Sequence, residues 1–206
     1  MWGLQKKEIS LLKSLNSPAV IQDFLDSLPM NHEKQGETLM SVRMVLRAKK
    51  AHCIEGALVA AAALTLHGEP PLLLDLMSDK RKFEDDDHVV ALYKRNGYWG
   101  AISKTNHASI RFRDPVYKTL RELALSYFHE WFMNKNGIKT LESYSRPLNL
   151  RRFGTMWLTS EEDLWFLDSA LNDLSHYSLV PAKNRRFIRK ADSMELRAGR
   201  IVEWPE

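Results

Sequence analysis

Intramolecular disulfide chemistry is excluded at once. The chain of 206 residues holds a single cysteine, Cys53, so a reducing, cytoplasmic compartment is expected. Long hydrophobic runs are missing too. The longest, Gly56 to Leu66, falls short of the ~20 residues that a membrane-spanning helix needs, so no membrane partner is expected. The stretch Met1-Trp2-Gly3-Leu4-Gln5-Lys6-Lys7 continues into amphipathic sequence without an uninterrupted apolar segment or a small-residue cleavage site, which argues against a secretory leader. Neither sign of charge dominates: 30 Lys and Arg against 26 Asp and Glu leave +4, a mild surplus that permits attraction to anions but is common in proteins with no nucleic-acid role, and with no nucleic-acid motif beside it no nucleic-acid partner is expected. There is no internal repeat and no low-complexity tract. What is present, 44% apolar and 27% charged residues, is the composition of a globular chain, long enough for one sizeable core. A single domain over residues 1–206 is expected.

Local signals divide that chain. Asn16-Ser17-Pro18 combines a capping side chain with proline at the first helical position, predicting a helix to about Ser27, ahead of Pro29. A second helix is expected from near Thr38, with Leu39, Val42, Val45 and Leu46 on one face. Cys53 to Leu66 is rich in alanine and leucine and stops at His67-Gly68; apolar almost all round, it should lie buried in the middle of the domain. After Pro70-Pro71, Leu72 to Leu76 reads as a short buried strand and Ser78 to Asp87 as a charged loop. His88 to Lys94 and Tyr98 to Lys104, joined by Asn96-Gly97, read as a hairpin with a two-residue type I′ turn. Asp114-Pro115 reads as the start of a helix carrying Leu120, Leu123, Ala124, Tyr127, Phe128 and Trp131 as far as Gly137. Thr159-Ser160-Glu161-Glu162 reads as a capping box opening another helix. Residues 181–206 are basic and irregular, with one candidate strand at Arg200 to Trp204. Helices, then a short antiparallel sheet, then helices make the fold class α+β, with a core at about 38–110 and a helical carboxy-terminal part at about 114–206.

A lone cysteine is by default a small buried hydrophobe. Cys53 departs from that default by position. It opens the alanine-rich helix, just after the basic stretch Arg47-Ala48-Lys49-Lys50-Ala51-His52. A helix start offers free backbone N–H groups and partial positive charge, and both favour a thiolate. His88 opens the hairpin, and an imidazole beside a thiol can accept its proton and return it to a leaving group.

The segment from Val45 through Cys53-Ile54-Glu55-Gly56-Ala57-Leu58 to His67-Gly68-Glu69-Pro70-Pro71, followed by Asp87-His88-Val89-Val90 and Asn96-Gly97-Tyr98-Trp99, resembles the transglutaminase-like superfamily over roughly residues 40–106. The resemblance implies a papain-like core in which the cysteine helix packs on a short antiparallel sheet. It further implies acyl transfer or hydrolysis of an amide, with Cys53 as nucleophile, His88 as acid and base, a protein, peptide or small amide as substrate, and no metal or organic cofactor. The family's Asp on the return strand is absent, since that stretch reads Gly100-Ala101-Ile102-Ser103-Lys104-Thr105-Asn106. A two-residue turn sets Arg95 opposite Tyr98 and Val90 opposite Ser103, so Ser103 lies diagonal to His88 on the same side of the sheet. Its hydroxyl can accept an Nδ1–H bond and fix the tautomer without supplying charge. Asn106 is the alternative orienting residue. An inactive binding or scaffold protein on the same fold is the rival reading.

Other candidates have plainer readings. His52 adjoins Cys53, but neighbours at a helix start point apart, which suggests a supporting role. Asp85-Asp86-Asp87 reads as a charged loop rather than a metal site, and Asp114 as a cap. His67, His107, His129 and His176 show no metal-like i, i+4 spacing. Lys183 to Lys190 reads as a solvated basic surface, and Trp131, Trp157 and Trp165 as core.

Overall fold

In the computed structural model, which describes residues 2–80, 82–83 and 85–205, the chain is α+β, with one antiparallel sheet of seven strands and helices against both its faces. Met1 of the amino-terminal stretch and Arg81 and Glu84 of the charged loop lie outside the described residues.

Helix α1 spans Lys6–Ser14 and α2 Pro18–Ser27. The second starts as its residues dictate: Ser17 Oγ accepts the Val20 N–H at 3.3 Å and Pro18 occupies the first turn. Helix α3, Val42–Ala48, begins later than the apolar pattern suggests. Ser41 takes the cap by accepting the Met44 N–H, while Thr38 stays outside and donates its hydroxyl to Glu55. Helix α4 spans Cys53–Leu66, with Gly68 just beyond it at φ +90°. Every residue from Ile54 to Leu64 is buried. Strands β1 (Leu72–Ser78), β2 (His88–Arg95) and β3 (Tyr98–Ile102) pair in succession. Asn96 and Gly97 adopt φ +50° and +88°, the left-handed pair that a type I′ turn requires, and Arg95 faces Tyr98 as expected.

Past residue 110 the expectations need correction. Asp114-Pro115 starts no helix. It lies in β4 (Arg113–Tyr117), an edge strand where proline's missing N–H can be tolerated. Helix α5 is Leu120–Phe128, capped by Thr119 and Glu122, which satisfy each other's backbone N–H, and it ends well before Gly137. Strands β5 (Leu141–Ser145) and β6 (Leu148–Asn149) follow. Thr159 closes α6 (Met156–Thr159) instead of opening a helix, and α7 is Trp165–Asn172. Strand β7 (His176–Ser178) and α8 (Ser193–Gly199) complete the chain's regular elements. Of the expected strand at 200–204 only a bridge between Val202 and His107 forms. The carboxy-terminal part thus mixes helices and strands. The sheet runs β4-β3-β2-β1-β5-β7, with β6 also paired to β1. Strands of two to five residues carry too few alternations for a period of two to show in sequence, and their partners are far away along the chain.

The sheet separates two cores. Leu73, Val89, Ala91, Tyr93 and Ile102 face α4 and the helices around it, whereas Leu74, Leu76, Val90, Leu92 and Ala101 face α5. Strand β2 is therefore buried on both sides over its first six residues. It reads as a continuous apolar run for that reason. No helix among the described residues is long and apolar enough to cross a membrane.

Candidate active site

The first turn of α4, the start of β2 and the segment after β3 meet at one end of the sheet, around a cleft of about 450 Å³. Cys53 and His88 both line it. As the first helical residue, Cys53 has a backbone N–H with no intrahelical acceptor. The residue is half-buried beside the cleft. Burial pushes the thiol up, but hydrogen bonds and charge from His52 and His88 outweigh it and bring the pKa down to about 6.

His88 is held from behind. Its Nε2 lies 2.7 Å from Ser103 Oγ, which itself donates to the Ile110 carbonyl at 2.9 Å. A hydroxyl has one proton. With that proton on Ile110, Ser103 accepts from His88, so Nε2 carries the hydrogen and Nδ1 is the nitrogen left for the thiol. Ser103 thus orients His88 as expected, but through Nε2 rather than Nδ1. Trp131 meets the imidazole edge-on, with ring centroids 6.1 Å apart.

Two features fix Ser103 that the sequence did not reveal. Gln22, buried on α2, donates to the Ser103 carbonyl at 2.7 Å and accepts its N–H at 3.0 Å. Gly56, one turn into α4, lets the next residue pass: a Cβ there would stand 2.4 Å from Lys104 Cβ. Lys104 is fully buried, with its ammonium donating to the Leu28 carbonyl at the end of α2. Gln22 pairs with Ser103 across 81 positions, and no local pattern encodes such a contact.

Asn106, the alternative orienting residue, is committed elsewhere. Its amide donates to the Trp204 carbonyl and accepts the Trp204 N–H, both at 2.7 Å. It pins the carboxy-terminal segment beside the cleft, while the hydrogen bond to His88 Nε2 is made by Ser103.

His52 needs the larger correction, because it contacts the thiol. The expectation that neighbours point apart holds within a helix, but His52 is the N-cap, with extended backbone at φ −98° and ψ −171°. Its Nε2 donates to the Thr38 carbonyl at 2.9 Å and lies 3.3 Å from Glu55 and 3.8 Å from Glu33. The other side of the ring faces the first turn of α4, with the Glu55 backbone N–H and the Cys53 thiol both near it. Burial opposes a charge on this ring, but hydrogen bonds with Cys53 and Glu55 raise its pKa to about 11. Glu55 is wholly buried and accepts from the backbone N–H of His52 (2.9 Å) and Met40 (3.0 Å), Thr38 Oγ1 (2.9 Å) and Asn31 Nδ2 (3.2 Å). Burial raises its pKa, while His52 and the two backbone N–H groups overcome that and lower it. The spacing His-x-x-Glu at a helix start is the sequence signal for this pair, since it places an acid at the third helical position.

The other carboxylates singled out in the sequence have partners of their own. Asp85 accepts the Trp131 indole N–H at 3.2 Å, and Asp87 accepts the Ser78 N–H and pairs with Lys80. No group of three potential metal ligands occurs among the described residues. His176 pairs with buried Asp75 at 3.0 Å, away from this cleft. No family model matches the chain, and no curated protein matches it.

Proposed function

We propose that this protein is a cysteine-dependent acyltransferase or amide hydrolase with a papain-like core of the transglutaminase-like kind. One observation carries the reading: a half-buried cysteine at a helix start, its thiol beside imidazole and lowered to about 6, lines an open cleft. A thiol so placed is largely ionised at neutral pH, which is what nucleophilic attack on a carbonyl needs.

In this reading the thiol proton passes to Nδ1 of His88, and Sγ attacks the carbonyl of a protein, peptide or small amide. Backbone N–H groups of the first turn of α4, that of Cys53 among them, stabilise the oxyanion. His88 returns the proton to the departing amine, and a thioester remains on Cys53. Water or a second amine, deprotonated by His88, then resolves it. A lone thiol on which activity depends suits a reducing compartment such as the cytoplasm.

The test is formation of the thioester. An activated acyl ester incubated with the protein should add one acyl group, located on Cys53 by mass spectrometry and released by an added amine. Acylation no faster than in the denatured chain would reject the reading. The neutral Ser103 hydroxyl in place of a carboxylate favours the rival, a binding protein without turnover, which that outcome would support.

A further inference from the structure

The proposed chemistry uses His88 and leaves the second ring on the thiol without a task. His52 lies between Cys53 and a carboxylate that is itself fixed by backbone and side-chain donors. We infer that His52 and Glu55 form a fixed ion pair whose positive end points at Cys53 Sγ and keeps the thiol ionised, with His52 touching the reacting sulfur and Glu55 as its positioning residue. This rests on Cys53 being the nucleophile.

Geometry gives the pair its direction. The Nε2 side of the ring faces Thr38 O, Glu55 and Glu33, all acceptors, so that nitrogen carries hydrogen. The interaction with Cys53 on the other side of the ring favours a second proton, on Nδ1. The charged groups facing His52 are Glu55 from α4, Glu33 from the segment before α3, and the thiol; His88 approaches the thiol from β2. Two carboxylates behind the ring favour the imidazolium. The pair is neutral as a whole, so it does not forbid a proton on His88, while its nearer, positive end acts on the sulfur directly. Its partners are in place before substrate arrives, so no reorganisation is needed when the thiolate forms. The negative charge missing at Ser103 thus has a counterpart on the other side of the thiol.

The experiment is iodoacetamide alkylation of Cys53 against pH in the wild type, His52→Gln, Glu55→Gln and His88→Gln, alongside NMR of the histidine ring nitrogens in the unmodified protein. Removing His52 should move the alkylation profile toward the free-thiol range near ~8.5 and slow alkylation at about pH 6 roughly tenfold or more. Glu55→Gln should move it the same way by less. In the wild type at about pH 8, His52 should be protonated at both nitrogens. A His52→Gln profile superimposed on the wild type, or a His52 ring neutral at that pH, would overturn the inference. The NMR arm needs no variant to fold. Both readouts report ionisation without turnover, so a missing acyl-enzyme with a His52-dependent profile would reject the proposed function and leave the ion pair standing.

Discussion

Two imidazoles touch one thiol, and they reach it by opposite routes. His52 is its sequence neighbour, and the carboxylate behind it is three residues along the same helix start. His88 arrives from a strand 35 positions on, and the serine behind it is held through its backbone by Gln22 of α2, beside the passage that Gly56 leaves for Lys104. The near ring is backed by charge and the far ring by a neutral group. A backing charge suits a ring that keeps its proton, and a neutral one suits a ring that must take and release it. On the proposed function, the contrast is how the site lacks an acid beside His88 and still favours a thiolate at Cys53.

Breaking the far side should have the largest effect. His88→Ala should lower the rate of acyl transfer from an amide by roughly 10²–10⁴-fold, the range for loss of a positioned acid and base, while Cys53 remains alkylatable. Steady-state kinetics with a glutamine-containing peptide would check it. A loss under tenfold would mean that the two rings exchange roles.

Breaking the near side should be felt first as stability. Glu55→Gln leaves His52 without its carboxylate and should cost about 3 kcal/mol, the scale for removing one partner of a buried pair, read from denaturant midpoints. The pH dependence has a definite sign. Folding raises the His52 pKa from 6.5 to about 11, so its contribution is complete below 6.5 and is lost as pH rises toward 11. Folding lowers the Cys53 pKa from 9.0 to about 6, so its contribution appears as pH rises above 6 and is complete above 9. Between 6.5 and 9 the two slopes cancel, and as far as these two groups are concerned wild-type stability should be flat there. Cys53→Ser removes one slope. Its stability should fall with pH over that window, by at most about 1.4 kcal/mol per unit. A flat profile in the variant would show that His52 does not hold its proton once the thiolate is gone.

Smaller effects sharpen the comparison. Ser103→Ala strands both the His88 Nε2–H and the Ile110 carbonyl and should cost about 1–2 kcal/mol of stability, with a rate loss well short of that of His88→Ala. An equal rate loss would mean that orientation by Ser103 accounts for all of what His88 does. Asn106→Ala should change alkylation of Cys53 least of all. It should instead release the Trp204 segment, visible as faster proteolysis near the carboxyl end.

Much of the near side was legible. Helix α4 follows from alanine and leucine propensity and a glycine stop, and the hairpin from Asn96-Gly97, because these preferences act over a few residues. That turn also fixed the register that brings Ser103 to His88. Expectations failed where two local solutions compete. Asp114-Pro115 suits a helix start and an edge strand equally well, and Thr119 with Glu122 won the cap six residues on. His52 was misjudged because an N-cap has strand-like backbone, so helical geometry does not tell where its side chain goes.

The sequence by itself determined the cysteine at its helix start, the hairpin that carries His88, and the serine where an acid would stand, because each depends on residue type and spacing within one turn or one ladder. Only the tertiary structure decided that Asn106 ties down Trp204, that Gln22 holds Ser103, that β5 and β7 extend the sheet, and that two imidazoles converge on Cys53. Those contacts join groups whose separation along the chain carries no period or propensity. They become favourable only when the packed cores on the two faces of the sheet have already met the entropy cost of bringing them together.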